Sequence, residues 1–121
     1  MRGIGIDAVD INRFRTLLAK RPNLRQRLFT PAELTALSAR QDDAGSLAAR
    51  FAVREATMKA LGVGLGAFDF HDVSVATSPS GAPELVVTGR ALDLATTRGV
   101  SGWHVSITHT DSVAMAVVAA L

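Results

Sequence analysis

The segment SLAARFAVREATMKALGVG, residues 46–64, predicts one long and mostly apolar helix around which the rest of the chain is organised. Ser46 is a suitable N-cap and Gly62 a suitable C-cap, so the helix is expected between them. At 100° per residue, large apolar side chains recur on one stripe, and alanines cover most of the remaining surface. The stripe consists of Leu47, Phe51 and Met58. A helix with so little polar surface is expected at the centre of the molecule.

Four charged residues on this helix predict an anion-binding wall. Glu55 falls inside the apolar arc, one turn before Lys59. Arg50 and Arg54 lie one turn apart at the edge of the same arc. A carboxylate among apolar groups needs an ionic partner or a metal, and the three surrounding cations resemble a phosphate-binding wall. The alternative is an ordinary Glu55–Lys59 salt bridge on a solvated face, with both arginines extended to water.

Length and composition limit the classes of protein. A chain of 121 residues is expected to form one domain with a hydrophobic core. The absence of cysteine excludes disulfides and thiolate metal sites, which leaves histidine and carboxylate ligands. Asp7 lies where a signal peptide would need its apolar core, which argues against a signal peptide. The longest apolar run, Val113–Leu121, is too short for a membrane span. Both observations predict a cytoplasmic protein. Few aromatic residues argue against a nucleic-acid-binding surface that stacks bases.

The N-terminal quarter is strongly basic. Residues 1–30 contain seven lysines and arginines against two aspartates, a local balance of +5 in a chain whose net charge is +2. The rest of the chain is therefore net acidic. A concentrated positive charge attracts anionic molecules over a distance, so we expect an acidic partner at this part of the molecule.

The N-terminal segment Gly3–Ile11 alternates as a β-strand. Its two glycines lie on the same face as Asp7, so this carboxylate projects from a face with little side-chain bulk. Glycines weaken a strand, and they indicate that a ligand, a metal or another element approaches the backbone closely there. The alternative is an edge strand with an exposed aspartate.

The remaining segments predict an α+β fold, with a mostly antiparallel sheet and a central buried helix. An amphipathic basic helix starts at Ile11, and Thr30–Glu33 is a capping box for a helix that ends near Ala39. Two hairpins follow, separated by a helix over Gly89–Thr97. Their strands are Asp72–Thr77, Glu84–Thr88, Trp103–Thr108 and Val113–Ala119. The glycines at 62–66 follow a helix and do not open one, so no dinucleotide or phosphate-loop motif is indicated.

Five motifs, taken together and in this order, make the chain similar to the holo-acyl-carrier-protein synthases, the small trimeric branch of the phosphopantetheinyl transferases. They are GIGID at 3–7 before a basic helix, LFTPAEL at 28–34, RFAVREATMKALGVG at 50–64, SGAP at 80–83 and VSITHT at 105–110. The match covers essentially the whole chain. Most members carry lysine where this chain has Arg54, a change that keeps the charge and alters its geometry.

The resemblance implies transfer of 4'-phosphopantetheine from coenzyme A to a serine of an apo acyl carrier protein, with adenosine 3',5'-bisphosphate as the second product. It implies that Asp7 and Glu55 are ligands of Mg²⁺, and that they form the catalytic group together with Lys59. It further implies a homotrimer with coenzyme A between neighbouring subunits. The implied coenzyme A-binding residues are Arg50, Phe51, Arg54, Lys59, Gly62, Gly64, Ser80, Gly81, Pro83 and His109. The base that takes the serine proton is either a metal-bound water or Glu55 itself.

The same resemblance implies a function for the basic first helix. Carrier proteins are acidic, and Arg13, Lys20 and Arg27 are expected to dock them. The resemblance also implies fatty acid biosynthesis, although polyketide and peptide synthase carriers stay open. Two other functions remain as alternatives. A binding module for coenzyme A would have no reason to place two acids near a polyanion, and a magnesium-dependent nucleotide diphosphate hydrolase would need no carrier.

Overall fold

The helices and strands follow the predicted order in a computed structural model that describes residues 1–121. In chain order they are β1 (Gly3–Asp10), α1 (Ile11–Lys20), α2 (Leu24–Leu28), α3 (Pro31–Ala36), α4 (Ala44–Ala60), β2 (Val73–Thr77), β3 (Pro83–Val87), α5 (Gly89–Thr97), β4 (Trp103–His109) and β5 (Val113–Ala120). A single 3-10 turn, Phe70–Asp72, precedes β2. The predicted α+β class is therefore confirmed.

Helix α4 is the central element that the sequence predicts. Eleven of its 17 residues are buried. It begins two residues before the predicted cap, because Asp43 accepts the first intrahelical hydrogen bond from Leu47, so Ser46 already lies inside the helix. Its end agrees with the prediction, since Gly62 follows the last turn at a φ of 69°, where a side chain would be strained.

The five strands are all antiparallel, and they form two sheets. Strands β1, β5 and β4 make a three-stranded sheet in that order, while β2 and β3 form a separate hairpin. In the larger sheet Asp7 lies opposite Ala116 on β5. The polypeptide therefore brings its first strand and its last strand together, and helix α4 packs on one face of the pair.

The glycines of β1 are required by the contact with α4. A Cβ atom at Gly3 would lie 2.0 Å from the carbonyl oxygen of Ala60, and one at Gly5 would lie 1.9 Å from that of Ala56. The element that approaches the strand is therefore the helix. The opposite face of β1 is uncovered in the protomer, where Ile4 is 60% and Ile6 is 56% exposed. An apolar face of this kind is a feature that an assembly would bury.

The two halves of α4 organise two hydrophobic clusters. Its C-terminal half packs with β2, α5 and the large sheet, and its N-terminal half packs with α1, α2 and α3. The predicted basic helix α1 begins where expected, and the Asp10 side chain caps it by accepting from the Arg13 backbone N–H. The Thr30–Glu33 capping box is also present, although α3 ends at Ala36. None of the helices combines the length and the hydrophobicity needed to cross a membrane.

Candidate active site

Two carboxylates from distant parts of the chain share a cavity of about 420 Å³, called here the acidic cavity. Asp7 reaches it from β1, and Glu55 reaches it from α4. The close packing of Gly3 and Gly5 against the helix explains how the strand approaches near enough for this. The remaining lining comes from Ala8, Val9, Asp10, Arg13, Phe14, Leu17 and Phe51.

The acidic cavity holds more negative charge than its surroundings neutralise. Burial raises the pKa of Glu55, the nearby charge of Asp7 raises it further, and Lys59 lowers it. The Lys59 ammonium does not pair with Glu55, one turn away. Its Nζ lies 3.2 Å from Asp7 Oδ1 and 3.0 Å from the carbonyl oxygen of Ile6. The simple intrahelical salt bridge is therefore not formed, and Glu55 is left without a cation of its own.

The donor set of the acidic cavity fits a hard divalent cation. Carboxylate oxygens are the protein ligands that Mg²⁺ prefers, and Mg²⁺ keeps several water or substrate ligands. Asp7 and Glu55 supply two such groups on facing elements. No cluster of three or more histidine, cysteine, aspartate or glutamate side chains able to hold a metal occurs in the chain. The remaining ligands would therefore have to come from water and from substrate oxygens.

Arg50 lies near the start of α4 with spare hydrogen-bonding capacity. Its Nη1 donates to the carbonyl oxygen of Ser46 at 3.2 Å, and its buried Nε has no partner. Burial lowers its pKa, the charge of Glu33 opposes this effect, and the neighbouring cations Arg40 and Arg54 lower it further. An anion beside Arg40 and Arg50 would relieve the repulsion between these cations.

Arg40 is a residue of this region that the sequence analysis missed. Its Nη1 donates to Ser46 Oγ at 2.9 Å, so Arg40 and Arg50 both engage Ser46. The two guanidinium groups make a small basic surface at the N-terminal end of α4. The sequence shows that Arg40 precedes the helix that carries Arg50. It does not show that the turn between α3 and α4 brings the two side chains together.

Arg54 is not at this surface, which corrects its assignment as a coenzyme A-binding residue. The side chain is completely buried, and it forms an ion pair with the buried Glu33. Its guanidinium also lies over the ring of Phe29, 5.0 Å from the ring centroid. The helical periodicity placed Arg54 at the edge of the apolar arc, and the helices that pack on α4 cover that edge completely.

A second and larger cavity of about 770 Å³, called here the apolar groove, adjoins the acidic cavity. The two share the side chains of Phe14, Leu17 and Phe51. One wall of the groove comes from α1 and α2, and the other comes from the segment 65–71. The residues that belong to the groove alone are Arg21, Leu24, Arg27, Leu28, Leu65, Gly66, Phe68, Asp69, Phe70 and His71.

Several basic residues around the apolar groove lack ionic partners. Arg15 pairs with Asp42, and Arg25 pairs with Asp43, each at 2.8 Å. Those two arginines are therefore neutralised by the linker before α4. The exposed basic residues of the segment 11–28 that form no ion pair are Arg13, Lys20, Arg21 and Arg27. Three of them were predicted to dock an acidic protein, and the structure places all four along the groove or on the adjoining face of α1.

The structure does not bring every predicted residue to the acidic cavity. The Ser80–Pro83 turn is at the tip of the β2–β3 hairpin, and Gly81 adopts a φ of 88° there. His109 is exposed at the end of β4. Gly62 and Gly64 lie in the exposed loop after α4. None of these residues lines the acidic cavity or the apolar groove, so the candidate site within one protomer consists of the two cavities and the Arg40–Arg50 surface.

Comparison with known proteins gives a consistent result. The family model described as the 4'-phosphopantetheinyl transferase superfamily matches residues 3–118. A holo-[acyl-carrier-protein] synthase of Beutenbergia cavernae is 45% identical over 98% of this chain and 96% of its own length, and one of Streptomyces griseus is 46% identical over the same shares. The crystal structure of the Neisseria meningitidis synthase is similar at a TM-score of 0.91, with 29% identity over 100% of this chain and 98% of that one. That of the Helicobacter pylori synthase in complex with coenzyme A gives 0.84, with 31% identity over 98% and 99%.

Proposed function

The chain belongs to the 4'-phosphopantetheinyl transferase superfamily, among the holo-[acyl-carrier-protein] synthases, and we propose that it transfers 4'-phosphopantetheine from coenzyme A to a serine of an apo acyl carrier protein in a magnesium-dependent reaction. The products are the holo carrier and adenosine 3',5'-bisphosphate. The observation that carries this proposal is the continuity of the acidic cavity with the cation-rimmed apolar groove. A site for a diphosphate thereby adjoins a surface suited to an acidic protein.

The reaction needs a serine oxygen placed in line with the phosphorus atom that bears pantetheine. The serine oxygen forms a new P–O bond, and the bond from this phosphorus to the bridging oxygen breaks. The bridging oxygen leaves with the adenosine half, and the serine hydroxyl loses its proton. Most of the catalytic effect in such transfers comes from positioning and from neutralising negative charge, so the protein must supply both.

Asp7 and Glu55 are the residues that would hold Mg²⁺. The ion, when bound, neutralises charge on the diphosphate oxygens and orients the diphosphate. Lys59 is half exposed beside Asp7, so its ammonium group can turn from that carboxylate to the diphosphate. Glu55 would accept the serine proton directly only in the alternative in which it does not hold the ion, since its carboxylate lines the same cavity.

The Arg40–Arg50 surface is suited to a phosphate monoester such as the 3'-phosphate of coenzyme A. The guanidinium groups of Arg40 and Arg50, which both donate to Ser46, support this assignment. His109 and the backbone of the Ser80–Pro83 turn would complete the nucleotide site from a neighbouring subunit, together with the loop at Gly62 and Gly64. Coenzyme A in the Helicobacter pylori relative supports the same co-substrate here.

A homotrimer is the assembly that we propose. The uncovered apolar face of the large sheet, which includes Ile4, Ile6 and Met115, supports burial against other copies of the chain. His109 ends a strand of that sheet, so a neighbouring copy packed on this face would carry its His109 close to the interface. This arrangement would explain why the protomer alone does not unite all the predicted nucleotide contacts.

The carrier protein would dock on the apolar groove. Four unpaired basic residues around the groove complement an acidic surface, and Leu17 and Leu24 offer apolar contact between them. The shared wall of Phe14 and Phe51 would place the docked protein directly beside Asp7 and Glu55. Fatty-acid carriers are the expected class, and a cytoplasmic location goes with that expectation.

Intact-mass spectrometry tests the proposal. An apo acyl carrier protein is incubated with this protein, coenzyme A and Mg²⁺, and a parallel sample contains a chelator. We expect the carrier to gain one phosphopantetheine only in the sample with free Mg²⁺. Binding of coenzyme A with no mass gain on fatty-acid, polyketide or peptide carriers would instead indicate a binding module. Cleavage of coenzyme A in the absence of any carrier would indicate a hydrolase.

A further inference from the structure

The buried ion pair between Arg54 and Glu33 takes no part in the chemistry proposed above, yet it is the most buried charged group of the molecule. The exposed fractions of the two residues are 0% and 2%. Two charges removed from water are costly, and apolar side chains of similar volume often stabilise a protein as well or better. A pair of this kind therefore calls for a role beyond stability.

The guanidinium group of Arg54 holds three parts of the chain at once. Its two terminal nitrogens donate to the two carboxylate oxygens of Glu33 on α3. Its Nε donates to the carbonyl oxygen of Phe70 at 2.8 Å, and Nη1 also reaches the Arg50 carbonyl oxygen at 3.3 Å. A planar fork with a separate Nε donor is suited to this geometry. A lysine has a single nitrogen, so it cannot reproduce the arrangement.

Glu33 extends the same network in the other direction. Its Oε1 accepts from the Thr30 backbone N–H at 3.0 Å, which is the capping contact of α3. Its Oε2 accepts from the backbone N–H of Val75 on β2 at 3.1 Å. The pair thus connects α3, α4, β2 and the carbonyl oxygen of Phe70 through hydrogen bonds alone.

Phe70 carries the effect of this network into the apolar groove. Its ring centroid lies 6.1 Å from that of Phe51, which in turn lies 5.4 Å from that of Phe14. Phe14 and Phe51 form the wall that the groove shares with the acidic cavity. The next residue, His71, is also fixed, because its Nε2 lies 2.6 Å from the Gln26 carbonyl oxygen on α2. Any movement of Phe70 would therefore alter the groove and its junction with the acidic cavity.

We propose that Arg54 and Glu33 are a positioning pair for carrier recognition, which fixes the Phe70 carbonyl oxygen and thereby the aromatic wall between the apolar groove and the acidic cavity. This inference rests on the proposed function, because it assumes that the carrier occupies the groove. The pair acts through Phe70 and Phe51 and does not touch either substrate. Its loss should therefore raise the KM for the carrier more than the KM for coenzyme A, because Arg54 contacts the proposed nucleotide site only at the carbonyl oxygen of Arg50.

The test is the double variant Glu33→Gln with Arg54→Met, which removes both charges together and keeps an acceptor for the cap of α3. We expect the KM for the apo carrier to rise about tenfold, the factor that corresponds to one lost hydrogen bond in positioning. The KM for coenzyme A should stay within about twofold of the wild-type value. The single variant Arg54→Lys keeps both charges but lacks the planar fork. Its KM for the carrier should therefore lie between the values of the double variant and the wild type. Hydrogen exchange of residues 65–72 should accelerate in the double variant.

Val53→Ala is the matched control, since Val53 is a completely buried residue of the same helix that contacts no part of this network by hydrogen bonds. It should lower the melting temperature and leave the carrier KM unchanged. A double variant with a wild-type carrier KM and unchanged exchange at 65–72 would overturn the inference and leave the proposed function intact. Absence of transfer by the wild-type protein would overturn the proposed function, and this inference with it.

Discussion

Lys59 and Glu55 lie one helical turn apart, yet the ammonium group pairs with Asp7 across the contact between strand and helix. Local periodicity predicts the neighbours on a helix and cannot show that a strand 52 residues away competes for the same cation. Arg54 illustrates the same limit. Its partner Glu33 was predicted correctly as a capping residue, and the structure uses that carboxylate for the cap and for the buried pair together.

Glu55→Gln tests the metal site at the level of one residue. We expect Mg²⁺ affinity and carrier modification to fall together, because the amide oxygen is a weaker ligand and the cavity loses a negative charge. Isothermal titration with Mg²⁺ and intact-mass assays would measure the two effects. Glu84→Gln, an exposed change on β3, is the matched control. Normal Mg²⁺ affinity with lost turnover would assign Glu55 the role of base.

The pH dependence of stability should reflect the protonation of Glu33 in its buried ion pair with Arg54. Burial alone would raise the pKa of Glu33, but the hydrogen bond and the charge of Arg54, with the backbone N–H groups of Thr30 and Val75, hold it below its usual value. A carboxylate with a lowered folded-state pKa stabilises the protein above its unfolded-state pKa, and this contribution is lost as the pH falls through the folded-state pKa.

We therefore expect the melting temperature of the wild type to fall as the pH is lowered below about 4.5, the usual pKa of a glutamate side chain. Glu33→Gln cannot titrate, so it should start from a lower melting temperature and depend less on pH over that range. Thermal unfolding monitored by circular dichroism between pH 7 and 3 would measure both curves. Parallel curves for the two proteins would contradict the assigned role of Glu33.

At the level of elements, the contact between β1 and α4 sets the geometry of the acidic cavity. The sequence predicted the strand, the helix and the close approach at the glycines, because each depends on local pattern. It did not predict the apolar groove. The groove is assembled from α1, α2 and the segment 65–71, and no single segment shows a cavity in its periodicity.

Gly5→Ala should disrupt the strand–helix contact. The added methyl group would meet the Ala56 carbonyl oxygen, so the strand must shift away from the helix, at a cost of about 1–3 kcal/mol or more. Transfer activity should fall as well, since Asp7 moves with the strand. Gly102→Ala is the matched control, because a Cβ atom there would meet only the side chain of Leu121, at 3.8 Å. Urea unfolding that gives equal stabilities for the two variants would refute this account.

Charge reversal on α1 and α2 should weaken carrier docking. Arg13→Glu with Arg27→Glu is expected to raise the carrier KM steeply at low salt, and the difference should shrink as salt screens the interaction. Steady-state kinetics at two ionic strengths would measure it. Arg2 lies beside Gly99 and lines neither cavity. Arg2→Glu therefore controls for the effect of reversing one charge away from the groove. An unchanged carrier KM at low salt would exclude docking through these residues.

At the level of the whole molecule, charge and apolar surface are divided between different faces. Asp42 and Asp43 neutralise two of the N-terminal arginines, and the unpaired cations remain around the apolar groove. The charge asymmetry was visible in the sequence, but the pairing was not, because it depends on how the linker folds back onto α1 and α2. The uncovered sheet face was equally hidden, since the glycines of β1 indicate which face is closely approached but not that the face of Ile4 and Ile6 is left uncovered.

Ile6→Arg should prevent assembly without harming the protomer. Ile6 is 56% exposed, so a charged side chain there meets mainly water in one copy and an apolar surface in a trimer. Light scattering after size exclusion should show a mass three times that of the chain for the wild type and for Ile6→Val, and a single-chain mass for Ile6→Arg. A wild-type protein of single-chain mass at micromolar concentration would contradict the trimer.

The alternation along β1 also determines how the codons for residues 3–6 tolerate change. At Gly3 and Gly5 the helix backbone leaves room for a hydrogen atom alone, so folding by itself restricts these positions to one amino acid. At Ile4 and Ile6 a single folded copy imposes almost no restriction. A library of variants selected first for folding and then for activity would therefore separate these two requirements. Variants at positions 3 and 5 should be depleted in the first selection, and variants at positions 4 and 6 only in the second.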